Sequence, residues 1–345
     1  MSIFRPIHRC TLAFLLFSAA ALAPATENMQ PQRPNRIALA VHGGAGTIDR
    51  DKMTPAKEKE YRTGLDRALR SGYEILQRGG SSLDAVESAV RTLEDDPHFN
   101  AGKGAVFTSA GENELDAAIM DGKTLKAGAV ASVRRVKNPI SLARLVMEKS
   151  PHVMLDCAGA EAFAREQGVE LVDPKYFFTQ ERWDALKRLQ ETAKKGGGTD
   201  QQKIIFDHDR HGTVGAVALD AAGNLAAATS TGGMTNKRPG RIGDSPVVGA
   251  GTYANNATCA VSGTGDGEFF IRAVLGHEVS ALMQYGGKTL ESAAAGALKS
   301  VAELGGTGGL IAMDGSGNVA MPFNTEGMYR GRVDSSGKLI IEIYR

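Results

Sequence analysis

From residue 37 onward the chain alternates between short runs that are apolar at every position and longer runs that are apolar at every third or fourth. Residues 37–41 are a continuous apolar run of strand length, suited to burial on both faces, and the run ends at the Gly-rich turn His42-Gly43-Gly44-Ala45-Gly46. Thr54 followed by Pro55 opens a helix whose apolar face is Tyr61, Leu65, Leu69 and Leu76, and Gly79-Gly80 stops it. Ser81 with Asp84 forms a capping box for a second helix facing inward through Leu83, Val86, Val90 and Leu93. Glu94-Asp95-Asp96 then reads locally as a solvated acidic corner.

Between residues 105 and 133 the period shortens to that of strands, with Asp121-Gly122 turning a hairpin between 115–120 and 124–133. Asn138-Pro139 opens a helix over 140–148, and another covers 159–167. Beyond Trp183 and Leu189 the pattern dissolves, and residues 193–212 read as a flexible linker around Lys194-Lys195-Gly196-Gly197-Gly198. Two strands follow, joined at residues 220–224. A similar hairpin pairs 310–313 with 319–323 through Asp314-Gly315-Ser316-Gly317-Asn318, and helical stretches 268–284 and 290–304 lie between the two hairpins. Helices flanking many strands predict an α/β (α+β) domain of packed sheets covered by helices.

Composition narrows the partners. A formal net charge of +1 with 23% charged residues supplies no basic patch for nucleic acid, so the expected partner is a small molecule or dipeptide. Residues 1–25 carry a basic head, Arg5, His8 and Arg9, an apolar run over 11–22 too short to span a bilayer, and the small-x-small string Ala23-Pro24-Ala25. This reads as a signal peptide, which predicts an exported, periplasmic or secreted protein with no membrane segment in its mature form. Without Cys10, Cys157 and Cys259 remain, either as one disulfide or as two small apolar side chains.

The candidate chemistry centres on Gly212-Thr213. A threonine hydroxyl needs a base, and a threonine that becomes a chain terminus brings its own: an α-amine with an unperturbed pKa of about 7.7–8. Cleavage before Thr213 would create nucleophile and base together. Downstream stand Thr229-Ser230-Thr231-Gly232-Gly233-Met234-Thr235-Asn236-Lys237, Pro239-Gly240-Arg241-Ile242-Gly243-Asp244-Ser245-Pro246, Gly249-Ala250-Gly251-Thr252-Tyr253-Ala254 and Ser262-Gly263-Thr264-Gly265. With His42-Gly43-Gly44-Ala45-Gly46 and Phe99-Asn100-Ala101-Gly102, these motifs resemble the plant-type asparaginase and isoaspartyl peptidase family of N-terminal-nucleophile hydrolases, from about residue 37 to residue 345.

The resemblance implies a four-layer αββα sandwich, an α subunit over 26–212 and a β subunit over 213–345 that form one domain, and a dimer of such pairs. It implies Thr213 as nucleophile, Thr231 as its orienting partner, and Thr264 with Gly265 as the oxyanion site. Arg241 and Asp244 would take the α-carboxylate and α-ammonium of an aspartyl substrate, with Asp266 and Gly267 bordering it, and Asn100 would fix nearby backbone. His42 carries no proton-transfer role. No catalytic cofactor is implied, but a structural sodium is, held mostly by main-chain carbonyls at Leu93, Glu94, Asp96, Phe99, Ala101 and Lys103.

Two departures stand out: Gly263 where many relatives have Cys, and the extra carboxylate of Asp266 near the leaving group. Gly212 and the Arg241–Asp244 pair favour the isoaspartyl and asparaginase branch over the glycosylasparaginase branch. A rival from another class is an exported amino-acid-binding protein, which would remain one intact chain without turnover.

Overall fold

The computed structural model describes residues 36–48, 50–195, 212–334 and 336–345. The predicted signal peptide and residues 196–211 of the predicted linker lie outside the described residues. Among those described, twelve strands form two sheets, in the orders β12-β11-β1-β5-β6-β2-β3-β4 and β10-β9-β8-β7. In chain order these are β1 (Ala38–Gly46), β2 (Leu115–Asp121), β3 (Ala127–Val133), β4 (Met154–Asp156), β5 (Val214–Leu219), β6 (Leu225–Thr231), β7 (Thr252–Ala254), β8 (Cys259–Gly265), β9 (Gly308–Asp314), β10 (Val319–Ala320), β11 (Gly327–Val333) and β12 (Leu339–Tyr344). Strands from both sides of position 213 interleave in the large sheet, so neither half of the chain could complete it alone.

Both faces of that sheet are buried, which is why its central strands are mostly apolar. Leu39 and Val41 of β1 face one core with Val214, Ala216 and Ala218 of β5, whereas Ala38, Ala40, Val217 and Leu219 face another, shared with Ala260, Ile311 and Met313 of the second sheet. The outer core is closed by α1 (Pro55–Gln77), α2 (Ser82–Glu94) and α3 (Pro139–Lys149). The far side of the second sheet is covered by α7 (Leu275–Gln284) and α8 (Leu290–Glu303), through Leu275, Val279, Ala293, Ala297 and Val301. The layers are therefore α, β, β and α, as expected. Each fully buried Leu, such as Leu65 or Leu69, contributes about 1.5–3 kcal/mol relative to exposure.

The predicted caps form: Thr54 accepts from Lys57 N–H at 3.2 Å, and Ser81 from Asp84 N–H at 3.1 Å. Several boundaries differ. His42–Gly46 is not a turn but the second half of β1, paired with β11 across a bulge between His42 and Gly44. The linker reading begins too early, because α5 (Gln180–Lys195) carries residues 193–195; α4 (Cys157–Glu166) precedes it. The stretch 268–284 breaks into α6 (Gly267–Ala273) and α7 because Val274 adopts φ 48°, a left-handed conformation that a β-branched residue rarely takes. Strands β11 and β12 lay outside the sequence reading altogether. Cys157 is exposed and Cys259 buried, both free.

Candidate active site

Thr213 stands at the entry to β5. The β5–β6 register pairs Val214 with Ser230, which brings Thr231, the last residue of β6, beside Thr213. The Thr213 hydroxyl donates to Thr231 Oγ1 at 3.1 Å, and that oxygen also accepts from Gly233 N–H at 3.0 Å. Asn100 secures the turn that follows: its Nδ2 donates to Gly233 O at 2.6 Å, its Oδ1 accepts from Val106 N–H at 3.0 Å, and its carbonyl accepts from Gly232 N–H at 3.2 Å.

The peptide before Thr213 is pressed between the two sheets. A Cβ on Gly212 would overlap Gly44 Cα and lie 2.6 Å from Ala45 N and 2.7 Å from Thr264 Oγ1, so only glycine fits there. Thr264, fully buried near the end of β8, accepts from Ala45 N–H at 3.2 Å and keeps its own O–H for another acceptor. Gly263 faces away from this point: a Cβ there would meet Phe270 at 3.1 Å and Leu275 at 3.5 Å, in the helix-covered core. The missing cysteine is thus a packing change on the far face of β8.

A cleft of about 710 Å³, including the part open to solvent, is lined by Gly212, Thr213, Thr231, Gly233, Arg241, Asp244, Gly265, Asp266, Gly267 and Glu268 together with Met234, Thr235, Thr307 and Thr325. Of the residues expected at a catalytic or substrate-binding position, all but Thr264 line it. Thr264 and Asn100 sit immediately behind the wall. Burial pushes Asp244 up to about 6 against the opposing pull of the Arg241 charge, and its Oδ2 has no hydrogen-bond partner among the described residues.

Arg241 is not a simple partner of Asp244. Its Nε and Nη2 donate to Glu268 Oε1 and Oε2, both at 2.9 Å, which leaves the Nη1 side beside Gly233 and Gly243. Sequence reasoning missed Glu268, which showed only as the start of a helical stretch. Asp266 turns toward Thr307, accepting from its N–H at 2.7 Å and its hydroxyl at 3.0 Å. Behind the wall, the buried Lys237 Nζ donates to Glu114 O at 3.0 Å and lies 3.9 Å from Asp116 Oδ2, bracing the loop that carries Gly233.

The acidic corner is solvated only at Asp95, which is exposed. Glu94 and Asp96 are buried; Glu94 Oε1 accepts from Ser230 and from Ile140 N–H, while Asp96 engages Arg67 and His98. A cation at this loop, where the resemblance implies one, would rest on main-chain oxygens, which suit a hard ion. The loop is tight: a Cβ on Gly102 would overlap the Glu94 carbonyl. Lys103 turns its ammonium over the Tyr176 ring, 5.6 Å from the centroid, so it does not oppose a cation. Among the described residues no cluster of His, Cys, Asp and Glu could hold a metal, and no helix is long and apolar enough to cross a membrane.

Two facing sheets between helical layers, with a threonine at the head of a central strand and a cleft at its hydroxyl, define a hydrolase of the N-terminal-nucleophile type. The chain belongs to the asparaginase family, whose model matches residues 35–341. It is 54% identical over 304 residues to the isoaspartyl peptidase of Escherichia coli (strain K12), covering 86% of this chain and 92% of that protein. It is 46% identical over 330 residues to a putative isoaspartyl peptidase/L-asparaginase of Dictyostelium discoideum, covering 86% and 92%. An isoaspartyl peptidase/L-asparaginase of Xenopus laevis is 44% identical over 293 residues, covering 84% and 90%.

Proposed function

We propose that this protein hydrolyses β-aspartyl dipeptides and L-asparagine, and that it becomes active by cleaving itself between Gly212 and Thr213. The observation that carries the substrate reading is Asp244 Oδ2: a buried carboxylate oxygen without a partner, in the wall of a cleft that also holds Arg241 and the Thr213 hydroxyl. Such an oxygen calls for a donor, and the α-ammonium of a substrate whose α-carboxylate rests on Arg241 would supply one. A substrate held by both groups presents its side-chain carbonyl to Thr213.

In the cleavage step the Thr213 hydroxyl attacks the Gly212 carbonyl. The carbon–nitrogen bond breaks, an ester to Oγ1 forms, and the nitrogen leaves as the Thr213 amine. Water then hydrolyses the ester, giving a carboxylate on Gly212 and returning the hydroxyl. In turnover that amine takes the hydroxyl proton while Oγ1 attacks the substrate's β-carbonyl. The Thr264 O–H and the Gly265 N–H face the oxyanion, and Thr231 orients the nucleophile; losing one oxyanion donor costs about 100- to 1,000-fold. The leaving amine carries the proton away, and water releases aspartate from the β-aspartyl ester. The α-amino group is an effective base near its ordinary pKa of about 8.

The same reading includes a structural sodium on the carbonyls of Leu93, Glu94, Asp96, Phe99, Ala101 and Lys103, where it would stiffen the loop that delivers Asn100. It includes a dimer of cleaved pairs, and export after removal of residues 1–25. The test of function is an assay of β-aspartyl-leucine against its α-linked isomer, with wild-type protein and Thr213→Ala. Wild type is expected to cleave only the β-linked peptide, and Thr213→Ala neither. Equal rates on both isomers, or turnover by Thr213→Ala, would refute it.

A further inference from the structure

Beneath the cleft runs a row of polar side chains without a place in the chemistry above. His42, Ser262, Thr229 and Thr252 have no solvent exposure and lie between the two sheets. At His42 the direction of the hydrogen bonds is set by its partners. A carbonyl oxygen only accepts, so the His42 Nδ1, 3.0 Å from Thr213 O, carries the proton. Nε2 is then an acceptor and takes the Ser262 hydroxyl at 2.8 Å. Ser262 Oγ also meets Thr229 Oγ1 at 2.7 Å and Thr229 meets Thr252 at 2.6 Å, and these two threonines have carbonyl acceptors of their own, Gly251 O at 3.1 Å from Thr229 and Ser245 O at 3.0 Å from Thr252. Burial pushes the imidazole down to about 3, so the ring stays neutral and keeps one fixed tautomer.

Gly215 is part of this arrangement. It pairs with His42 across the β1–β5 register, and a Cβ there would overlap both Ser262 Oγ and His42 Nε2. The second glycine of Gly212-Thr213-Val214-Gly215 therefore makes room for the His42–Ser262 bond, a function separate from that of Gly212 at the scissile peptide.

We propose that His42 is a positioning residue for the nucleophile, its Nδ1–H holding the Thr213 carbonyl while the Ser262 hydroxyl, donating to Nε2, fixes which ring nitrogen carries the proton. The inference rests on Thr213 being the nucleophile. Rotation about the Thr213 Cα–C bond moves the carbonyl relative to the amine and hydroxyl. Once cleavage frees the Thr213 nitrogen from Gly212, the bond from His42 restrains the residue one bond away from its reacting groups. His42 touches no substrate and moves no proton.

Asparagine and glutamine separate this role from simple core filling, because an Asn side-chain nitrogen reaches the Nδ1 position and a Gln nitrogen reaches the Nε2 position. The full chain carrying His42→Gln or His42→Asn is assayed for kcat and KM on β-aspartyl-leucine, per molecule found cleaved by intact mass. His42→Gln is expected to lose about 100-fold in kcat with KM changed less than about threefold, the scale of a misplaced reacting group, while His42→Asn stays within about tenfold of wild type. Cleavage of the Asn variant but not the Gln variant would also support the proposal, since cleavage uses the same hydroxyl. Glutamine performing as well as asparagine, or both variants turning over like wild type, would overturn it.

If neither variant folds, Ser262→Ala keeps the ring and removes only the donor that fixes its tautomer; a kcat drop of about fivefold at constant KM is expected, and an unchanged kcat would overturn the proposal. Thr213→Ala runs in parallel. Activity in that variant would remove the nucleophile reading itself, whereas an inactive Thr213→Ala beside a fully active His42→Gln would remove only the role of His42.

Discussion

Glu94 and Asp244 are both buried carboxyls, each with one oxygen lacking a hydrogen-bond partner among the described residues. Burial raises both, Glu94 to about 8 and Asp244 to about 6. Their surroundings separate them. Glu94 Oε1 accepts from Ser230 Oγ at 2.6 Å and from Ile140 N–H at 3.0 Å, so an uncharged carboxyl joins α2, β6 and the first turn of α3. Asp244 has the Arg241 charge beside it and a cleft in front of it, so it is ionised at neutral pH. Burial alone produces a structural pin. A neighbouring guanidinium and an opening turn the same group into a receptor for a cation.

The sharpest way to break this contrast is Asp244→Asn. Removing the charge that meets the substrate ammonium should cut kcat/KM about 1,000-fold, within the 2–5 kcal/mol typical of truncating a buried charge pair, with melting temperature held or raised. The pH dependence follows. In wild type, kcat/KM should fall as the Thr213 amine takes up a proton below about 8, and more steeply as pH drops through about 6, where Asp244 takes up another. The sign for stability is opposite. A carboxyl whose folded pKa lies above its ordinary value of 3.8 opposes folding as pH rises through that window. Asp244→Asn should therefore lose that contribution to the pH dependence of stability, as read by urea titrations at several pH values.

Glu94→Ala should do the reverse: a stability loss of about 2–3 kcal/mol by urea unfolding, from unpaired Ser230 and Ile140 groups and an empty space, with kcat per folded molecule retained. Glu94→Gln should stay within about 1 kcal/mol of wild type. A smaller effect is expected of Asp266, another carboxylate of the cleft. Asp266→Asn should raise the rate on β-aspartyl-glutamate relative to β-aspartyl-leucine by about threefold, the scale of a partly screened charge. An unchanged ratio would show that the leaving group lies out of reach of Asp266.

Much of this was legible in the chain because its signals are local. Thr54-Pro55 and Ser81 with Asp84 mark helix starts through their own hydrogen bonds, and the apolar runs of β1, β5 and β6 follow from burial on both faces. The order of motifs around Thr213, Arg241 and Asp244 pointed to one cleft, where the structure brings them together. What escaped depends on partners far along the chain. His42–Gly46 reads as a turn because its glycines are visible, whereas its pairing with Gly327–Arg330 is not. Glu268 resembles any helix-opening acid until Arg241 stands against it, and the acidic corner resembles a surface until Ser230 and Ile140 cover Glu94.

The central claim is that Thr213 becomes a nucleophile by becoming a chain terminus. Intact mass with N-terminal sequencing of the purified, denatured protein tests it most directly. Two chains that copurify, one ending at Gly212 and the other beginning Thr-Val-Gly-Ala, are predicted, together with a single uncleaved chain from Thr213→Ala. A catalytically active wild-type protein that remains one chain through position 213 would contradict the account.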